Sequence, residues 1–221
     1  MLIQFVDFNL ADIVISKNYQ AEWNEIEMVL GNMPLHIKAS SQKGIHGNPI
    51  FDPVGTNEYI KTELVNLGWK ANVPIPKEYN FFGQDIDCAK KGVIVEFQFS
   101  HYSFLQNNTL RSELFFQAET IFSNSITKLA IIITKASMFP ASNSTLYYEQ
   151  AVKQLTALTE YKVFDVPIRL VGLFESINTT ISSVWTEYQG QRSRTIKNQK
   201  SCQCQIIASE SPRNKPTFNL M

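Results

Sequence analysis

The chain contains 221 residues, enough for one large domain with a full hydrophobic core. Hydrophobic residues account for 44% of the chain, and no low-complexity run predicts disorder. Its 20 Lys and Arg balance 20 Asp and Glu to a formal net charge of +0, which weighs against nucleic-acid binding because phosphate contacts usually require a basic face.

The distribution of charge is more informative than its sum. Residues 186–221 contain six Lys or Arg and two Glu, a net of +4. We therefore predict a single domain over residues 1–221, in which residues 175–221 form a basic C-terminal subregion.

The three cysteines indicate neither a disulfide framework nor a zinc site. Cys202 and Cys204 lie two positions apart, without a second Cys or His pair at zinc spacing. No basic leader precedes Asp7 and Asp12, and no apolar run approaches membrane-spanning length. We expect a soluble, cytoplasmic protein with reduced cysteines in an exposed strand.

The first part of the chain predicts a strand, a helix, a second strand and a long loop. Residues 1–17 alternate enough for a short strand or arm, and apolar residues recur at helical spacing over residues 19–30. Residues 35–39 predict a short strand. Residues 40–53 are rich in Gly, Ser, Asn and Pro, and loops of this length are often functional.

Strands and helices alternate through the middle of the chain. Thr56 is predicted to cap a helix that ends at Gly68. The later predicted elements are a central strand at 93–99, a helix at 110–122, a buried strand at 129–133, a helix at 145–160, a strand at 166–173 and an edge strand at 202–208. This order predicts the α/β class, with a central mixed β-sheet flanked by helices.

The central strand carries polar side chains among apolar ones. Because a strand alternates faces, Glu96 and Gln98 project from one side and the odd-numbered apolar residues of 93–99 from the other. A turn before this strand folds Asp87 back beside Glu96. Two adjacent carboxylates repel each other unless a cation lies between them, and oxygen ligands favour magnesium. The pattern therefore predicts a magnesium site, with Asp85 as a rival ligand.

At these residues the sequence resembles a known family. The pattern Asp87-(x8)-Glu96-x-Gln98 looks like the catalytic core of the PD-(D/E)xK nucleases, in the variant with glutamine in place of lysine. More narrowly, it resembles the BglII-like type II restriction endonucleases. The similarity covers roughly residues 20–197, most of the chain, and includes the segments 50–57, 138–144 and 163–173.

The resemblance implies roles for the central residues. Asp87, Glu96 and the backbone carbonyl of Phe97 would hold Mg²⁺, and the ion would lower the pKa of a bound water. Gln98 cannot act as a base near neutral pH, but its carbonyl oxygen can orient the attacking water. Asn72 matches a second water-holding position, although a turn or capping role is an alternative for it.

The resemblance also implies residues that read DNA bases. Ser100 and His101 follow the central strand, and His101 replaces the family's asparagine. Asn143 and Ser144 lie in the matched 138–144 segment, where Asn suits adenine and Ser either base class. Asn-Ser before a helix is also a capping signature, so that role stays open.

A basic cluster near the C-terminus suggests a groove contact. Arg194, close to Arg192, matches a family arginine expected to enter the minor groove. This segment is one residue shorter than the family pattern and lacks the adjacent tyrosine. A solvated basic surface loop is the alternative interpretation. With this resemblance, residues 175–221 are expected to contact DNA.

The family resemblance implies a magnesium-dependent type II restriction endonuclease that acts on double-stranded DNA as a homodimer. The implied site is the palindrome AGATCT, cut after the first A to leave a 5′ GATC overhang, with a cognate DNA methyltransferase in the same system. The helices predicted at 110–122 and 145–160 are candidates for the dimer interface. A repair or structure-specific nuclease of the same fold, and a DNA-binding module without activity, are the alternatives.

Overall fold

The computed structural model describes residues 1–190, 193–209 and 216–221. Its strands are β1 (Leu2–Phe8), β2 (Leu35–Ala39), β3 (Pro49–Phe51), β4 (Lys70–Pro74), β5 (Asp85–Lys90), β6 (Val93–Phe97), β7 (Ile121–Phe122), β8 (Ser125–Ile126), β9 (Leu129–Lys135), β10 (Ile168–Phe174), β11 (Thr180–Tyr188), β12 (Ile196–Ile207) and β13 (Thr217–Leu220). Its α-helices are α1 (Ala11–Val14), α2 (Gln20–Asn32), α3 (Pro53–Asn66), α4 (Tyr102–Gln117) and α5 (Tyr148–Glu160). A π-helical turn, Ile15–Tyr19, joins α1 to α2, and a short 3-10 turn covers Asn80–Phe82.

Two sheets organise the chain. A six-stranded sheet has the order β1-β10-β9-β6-β5-β4, in which β10, β9 and β6 run parallel and the other neighbours pair antiparallel. A five-stranded sheet has the order β13-β12-β11-β2-β3, with a parallel pair between β11 and β2. The prediction of an α/β fold with a central mixed sheet is confirmed.

The hydrophobic core lies on both faces of the six-stranded sheet. On one face the apolar side chains of α2 and α3 pack with Val93 and Val95 and with residues of the five-stranded sheet. On the other face α4 and α5 pack with Ile94 and Ile132. The alternation predicted for the central strand is therefore correct.

No helix within the described residues is long and apolar enough to span a bilayer.

Helix α4 departs most from its predicted bounds of 110–122. It begins at Tyr102, and its inward face is partly polar, with Asn108, Thr109 and Ser112 buried. An apolar periodicity is therefore weak in its first half. After Gln117 the chain turns into the β7–β8 hairpin, which the sequence pattern does not predict.

Two other helix starts differ from prediction. Asp52 rather than Thr56 caps α3, since its carboxylate accepts from the backbone nitrogen of Val54 at 3.2 Å. Thr56 lies inside the helix, where its hydroxyl donates to the carbonyl of Asp52 at 2.8 Å. Helix α5 begins at Tyr148 rather than Thr145, whose backbone nitrogen instead donates to the carbonyl of Ser100 at 2.9 Å.

The described residues of the C-terminal part contain more strand than their weak periodicity indicates. β12 is not an edge strand as predicted, because β13 pairs along its outer side. β12 is also longer than residues 202–208. Cys204 is fully buried, so the prediction of cysteines in an exposed strand is wrong at that position. The free cysteines themselves are as expected.

A buried ion pair links β1 to β10 at the edge of the six-stranded sheet. Arg169 on β10 lies opposite Asp7 on β1 and donates from Nε to Oδ1 and from Nη2 to Oδ2, both at 2.7 Å. Its guanidinium lies between the rings of Phe5 and Trp23, 4.1 and 4.3 Å from their centroids. Bidentate pairing and cation–π contacts together stabilise this edge.

We expect Arg169→Met to lower the free energy of unfolding by about 2–4 kcal/mol, because it leaves the Asp7 carboxylate largely buried without its cation. Urea denaturation at neutral pH measures the change. The exposed Lys153→Met on α5 is the control and should shift stability by less than about 0.5 kcal/mol. Equal stability of the two variants would contradict a structural role for the ion pair.

Candidate active site

A tight hairpin builds the site. β5 and β6 pair antiparallel and are joined at Lys91 and Gly92, whose φ angles are 47° and 89°. Such a pair of left-handed residues matches the twist of the strands. A Cβ on Gly92 would lie 2.6 Å from the carbonyl oxygen of Ile126, so glycine is required there. The turn fixes a register that brings Asp87 beside Glu96.

The two carboxylates have different surroundings. Asp87 accepts a hydrogen bond at Oδ2 from the backbone nitrogen of Phe97 at 2.8 Å and is partly exposed. Glu96 is only 1% exposed, and its Oε2 lies 2.5 Å from Nη2 of Arg111. Among the described residues, Oε1 of Glu96 is buried and has no hydrogen-bond partner. This buried oxygen is the strongest indication that the site binds a cation.

Burial makes both carboxylates hold their protons more tightly. Complete burial raises the pKa of Glu96 to about 8, although the Arg111 guanidinium acts in the opposite direction. Desolvation also raises the pKa of Asp87, against the hydrogen bond from Phe97 and the positive charge of Lys61. A cation bound between the carboxylates would replace the protons and favour the ionised forms.

Arg111 is a site residue that the sequence pattern does not reveal. It projects from the inward face of α4, and its Nη1 also lies 3.4 Å from the carbonyl oxygen of Phe82 and 3.3 Å from that of Asp85. Gly83 has a φ of 142°, and a Cβ there would lie 2.7 Å from Nη1. The periodicity of the helix predicts apolar residues on its inward face, so an inward arginine has no sequence signal.

Asp85, the rival ligand, contributes its backbone rather than its carboxylate to these contacts. Its side chain is exposed, and its negative charge raises the pKa of Asp87.

Lys61 links Asn72 to the carboxylates and also has no sequence signal. Its Nζ donates to Oδ1 of Asn72 at 2.8 Å and lies 3.9 Å from Oδ1 of Asp87. Asn72 has a φ of 48° and is itself unpaired in the β4–β5 ladder, although Ala71 and Val73 on either side pair in one unbroken register. The structure therefore places Asn72 near Asp87, and it equally shows the turn-like backbone that the alternative interpretation requires.

Gln98 follows β6 directly and stays next to the sheet. Its backbone nitrogen donates to the carbonyl of Ile133 at 2.8 Å, and its side-chain Nε2 donates to Oγ of Ser100 at 3.1 Å. The side chain is 8% exposed. The amide nitrogen is engaged in this contact, so the carbonyl oxygen is the group that can accept from a water.

The residues expected to read bases lie together at the end of β6. His101 precedes the first turn of α4, and its Nδ1 lies 3.4 Å from Oγ1 of Thr145. Asn143 has a φ of 50°, and its backbone nitrogen donates to Oε1 of Gln42 at 2.9 Å. The Ser144 hydroxyl lies 2.9 Å from the carbonyl oxygen of Ser100. The contacts of Ser144 and Thr145 hold this segment against the end of β6, whereas Asn143 is bonded to the loop between β2 and β3.

Arg194 is exposed, in the connection between β11 and β12. Arg192, the other arginine of that cluster, lies outside the described residues. Near this connection, Gly190 and Ser193 share with Ser144 the lining of an open cavity of about 750 Å³. The cavity is also lined by Lys38, Lys197, His46 and one acid, Glu187, and by Lys135, whose side chain is fully buried. This cationic lining suits a phosphate-bearing ligand.

The oxygen atoms available at the site limit which metal ion it could bind. In the part of the chain that the structure describes, no cluster of three or more His, Cys, Asp or Glu could hold an ion. The available oxygens are those of Asp87, Glu96 and the backbone of Phe97. This set suits Mg²⁺, which is often bound by one or two carboxylates and keeps several waters.

Without metal, Glu96→Gln should change how stability depends on pH. The folded chain keeps the Glu96 proton up to about pH 8, whereas the unfolded chain releases it near 4.5. The folded state therefore binds more protons between these values, and wild-type stability should fall relative to Glu96→Gln as pH rises through this window.

Thermal unfolding in chelator from about pH 5 to 9 measures this difference. Glu119→Gln, which alters an exposed carboxylate, is the control and should give a curve parallel to wild type. Parallel curves for Glu96→Gln and wild type would show that Glu96 is ionised throughout.

Comparison with known proteins identifies the family of the chain. Residues 3–173 match the family model for restriction endonuclease BglII/BglIII. The chain is 52% identical over 216 residues to the type II restriction enzyme BglII of Bacillus subtilis, covering 97% of this chain and 96% of that one. It is similar to a crystal structure of BglII complexed with a DNA 16-mer, with a TM-score of 0.95, and to free BglII, with 0.77; both are 51% identical and both matches cover 100% of each chain. The chain belongs to the BglII/BglIII family of type II restriction endonucleases.

Proposed function

We propose that this restriction endonuclease requires Mg²⁺ and cuts the palindrome AGATCT after the first A, leaving a 5′ GATC overhang. The observation that carries the metal requirement is the buried, unpartnered Oε1 of Glu96 beside Asp87. The site sequence rests on the family resemblance, and His101 is the residue most able to alter it.

Three groups would bind the ion. Asp87 and Glu96 supply carboxylate oxygens, and Phe97 supplies its backbone carbonyl at the end of the same strand. When bound, Mg²⁺ lowers the pKa of a coordinated water and stabilises negative charge on the scissile phosphate. Arg111 pairs with Oε2 of Glu96, so Oε1 is the oxygen that would bind the ion.

Gln98 and Asn72 would orient the attacking water. The hydrogen bond from Gln98 Nε2 to Ser100 fixes the amide, so that its carbonyl oxygen can accept from the water. Asn72 is held by Lys61 on the side of Asp87. Neither amide is a base at neutral pH, so both act by positioning.

Base reading would come from the end of β6 and the segment beside it. Ser100 and His101 would face the major groove near the cut, and Asn143 and Ser144 would read the neighbouring bases. Each good contact discriminates by about 1–3 kcal/mol. Histidine can donate or accept toward a base edge, but it cannot reproduce both contacts of an asparagine amide.

Arg194 would enter the minor groove from the β11–β12 connection, and residues 175–221 would supply further phosphate contacts. Lys197 in the cationic cavity lies in this region and supports the assignment. Replacing a residue that binds a phosphate should weaken binding on all sequences and reduce its salt dependence.

The active unit would be a homodimer in the cytoplasm, where a cognate methyltransferase protects host sites. A palindrome presents the same bases on both strands, so a two-fold dimer can place one active site on each. Helix α4 exposes the apolar side chains of Tyr102, Phe104 and Leu110, each close to half accessible, which makes this helix a candidate for the dimer contact.

A plasmid with one AGATCT sequence should give a discrete linear product in Mg²⁺. Glu96→Ala should reduce the rate by at least about 10³-fold, because the metal loses one of its two carboxylates. Gel electrophoresis and end sequencing measure the product and the overhang.

Other products identify the alternatives. Nicking or cutting at irregular DNA structures would indicate a repair or structure-specific nuclease. Retarded DNA without cutting would indicate a binding module, and smearing of every plasmid would exclude sequence specificity. A plasmid lacking AGATCT is the control.

Calcium should permit specific DNA binding but stop cleavage, because it fits the carboxylates and activates water poorly. Filter binding and cleavage assays in Ca²⁺ and Mg²⁺ separate the two steps. Full-rate cleavage in Ca²⁺ would reject the two-carboxylate magnesium site.

A further inference from the structure

Lys135 is a fully buried lysine outside the carboxylate cluster. It ends β9, an apolar strand that lies parallel to β6. An ammonium group buried in this way is strongly destabilising unless its N–H groups are hydrogen-bonded. The burial of this ammonium group is therefore tolerated because of the groups that accept its hydrogen bonds.

The ammonium group joins two segments of the chain. Nζ donates to the carbonyl oxygen of Phe99 at 2.5 Å, just beyond the end of β6. It also donates to Oγ of Ser144 at 2.6 Å and to the carbonyl oxygen of Leu146 at 3.1 Å. The ring of Tyr147 lies 4.8 Å from Nζ, at cation–π distance. The Lys135 ammonium group thus links the 144–147 segment to the end of β6, the strand that carries Glu96.

The same contacts continue to the water-orienting glutamine. The backbone nitrogens of Thr145 and Leu146 donate to the carbonyl of Ser100 at 2.9 and 3.1 Å. Oγ of Ser100 in turn accepts from Gln98 at 3.1 Å. A displacement of the 144–146 segment would therefore be transmitted to Gln98 through Ser100.

We propose that Lys135 is a positioning residue that couples base reading to cleavage. It rests on the proposed function, since the segment it fastens carries Asn143 and Ser144. The role does not require Lys135 to touch a base or a phosphate. The lysine sets the distance between the reading segment and the catalytic strand, and errors of about 1 Å there can cost 10²-fold in rate.

The test compares Lys135→Met with Lys128→Met, a surface lysine at the other end of β9 whose Nζ lies 3.6 Å from the exposed Glu119. Binding is measured in Ca²⁺ to a duplex containing AGATCT and to a scrambled duplex. We expect Lys135→Met to lower the ratio of the two affinities by at least about tenfold, the size of one good base contact, with binding to scrambled DNA unchanged. Lys128→Met should keep the ratio.

A retained ratio in a folded Lys135→Met protein would overturn the inference, and so would equal losses on both duplexes. Lys135→Gln keeps two N–H donors and should recover part of the ratio. If the wild type itself shows no preference for AGATCT, the proposed recognition sequence is wrong, and this result does not bear on the role of Lys135.

A measurement on the unmodified protein covers the case in which these variants do not fold. Amide hydrogen exchange at Thr145 and Leu146 should slow more with AGATCT duplex than with scrambled duplex, since both amides donate to Ser100. In a protein that binds AGATCT more tightly than scrambled DNA, equal protection by the two duplexes would also overturn the inference.

Discussion

The register of the β5–β6 hairpin is the constraint on which the site depends. Lys91 and Gly92 adopt the left-handed backbone of a tight turn, and only glycine fits against the carbonyl of Ile126. Because side chains alternate faces, a slip of one residue would send Glu96 and Gln98 to the opposite side of the sheet. The position of the carboxylates follows from the geometry of one turn.

Positive side chains from two helices surround the carboxylates from opposite directions. Arg111 on α4 pairs with Glu96, and Lys61 on α3 lies near Asp87 and Asn72. They offset the repulsion between the two acids while one oxygen of Glu96 stays unpaired. This arrangement lowers stability but creates a site that favours a further cation, as expected where function and stability compete.

Features with local signals could be predicted from the sequence. The alternation of β6, the turn before it and the spacing of Asp87 to Glu96 depend on neighbouring residues, and the structure agrees with them. Arg111 and Lys61 reach the site only through tertiary packing, so no spacing rule finds them. Buried polar residues hide the start of α4, and β12 resembles an edge strand in sequence because β13 has no recognisable pattern.

The parallel pairing of β2 with β11 has a consequence for folding kinetics. Leu35 lies opposite Ser183, so most of the chain must be closed into a loop before this contact forms. Such non-local pairing is slow, whereas the hairpin of β5 and β6 involves neighbours in sequence. We expect the hairpin of β5 and β6, which carries the two carboxylates, to form early. The five-stranded sheet, whose residues line one side of the cationic cavity, should form late. A partly folded chain would then hold its two site carboxylates before it has the cationic cavity, and the complete structure would form only at the slowest step of folding.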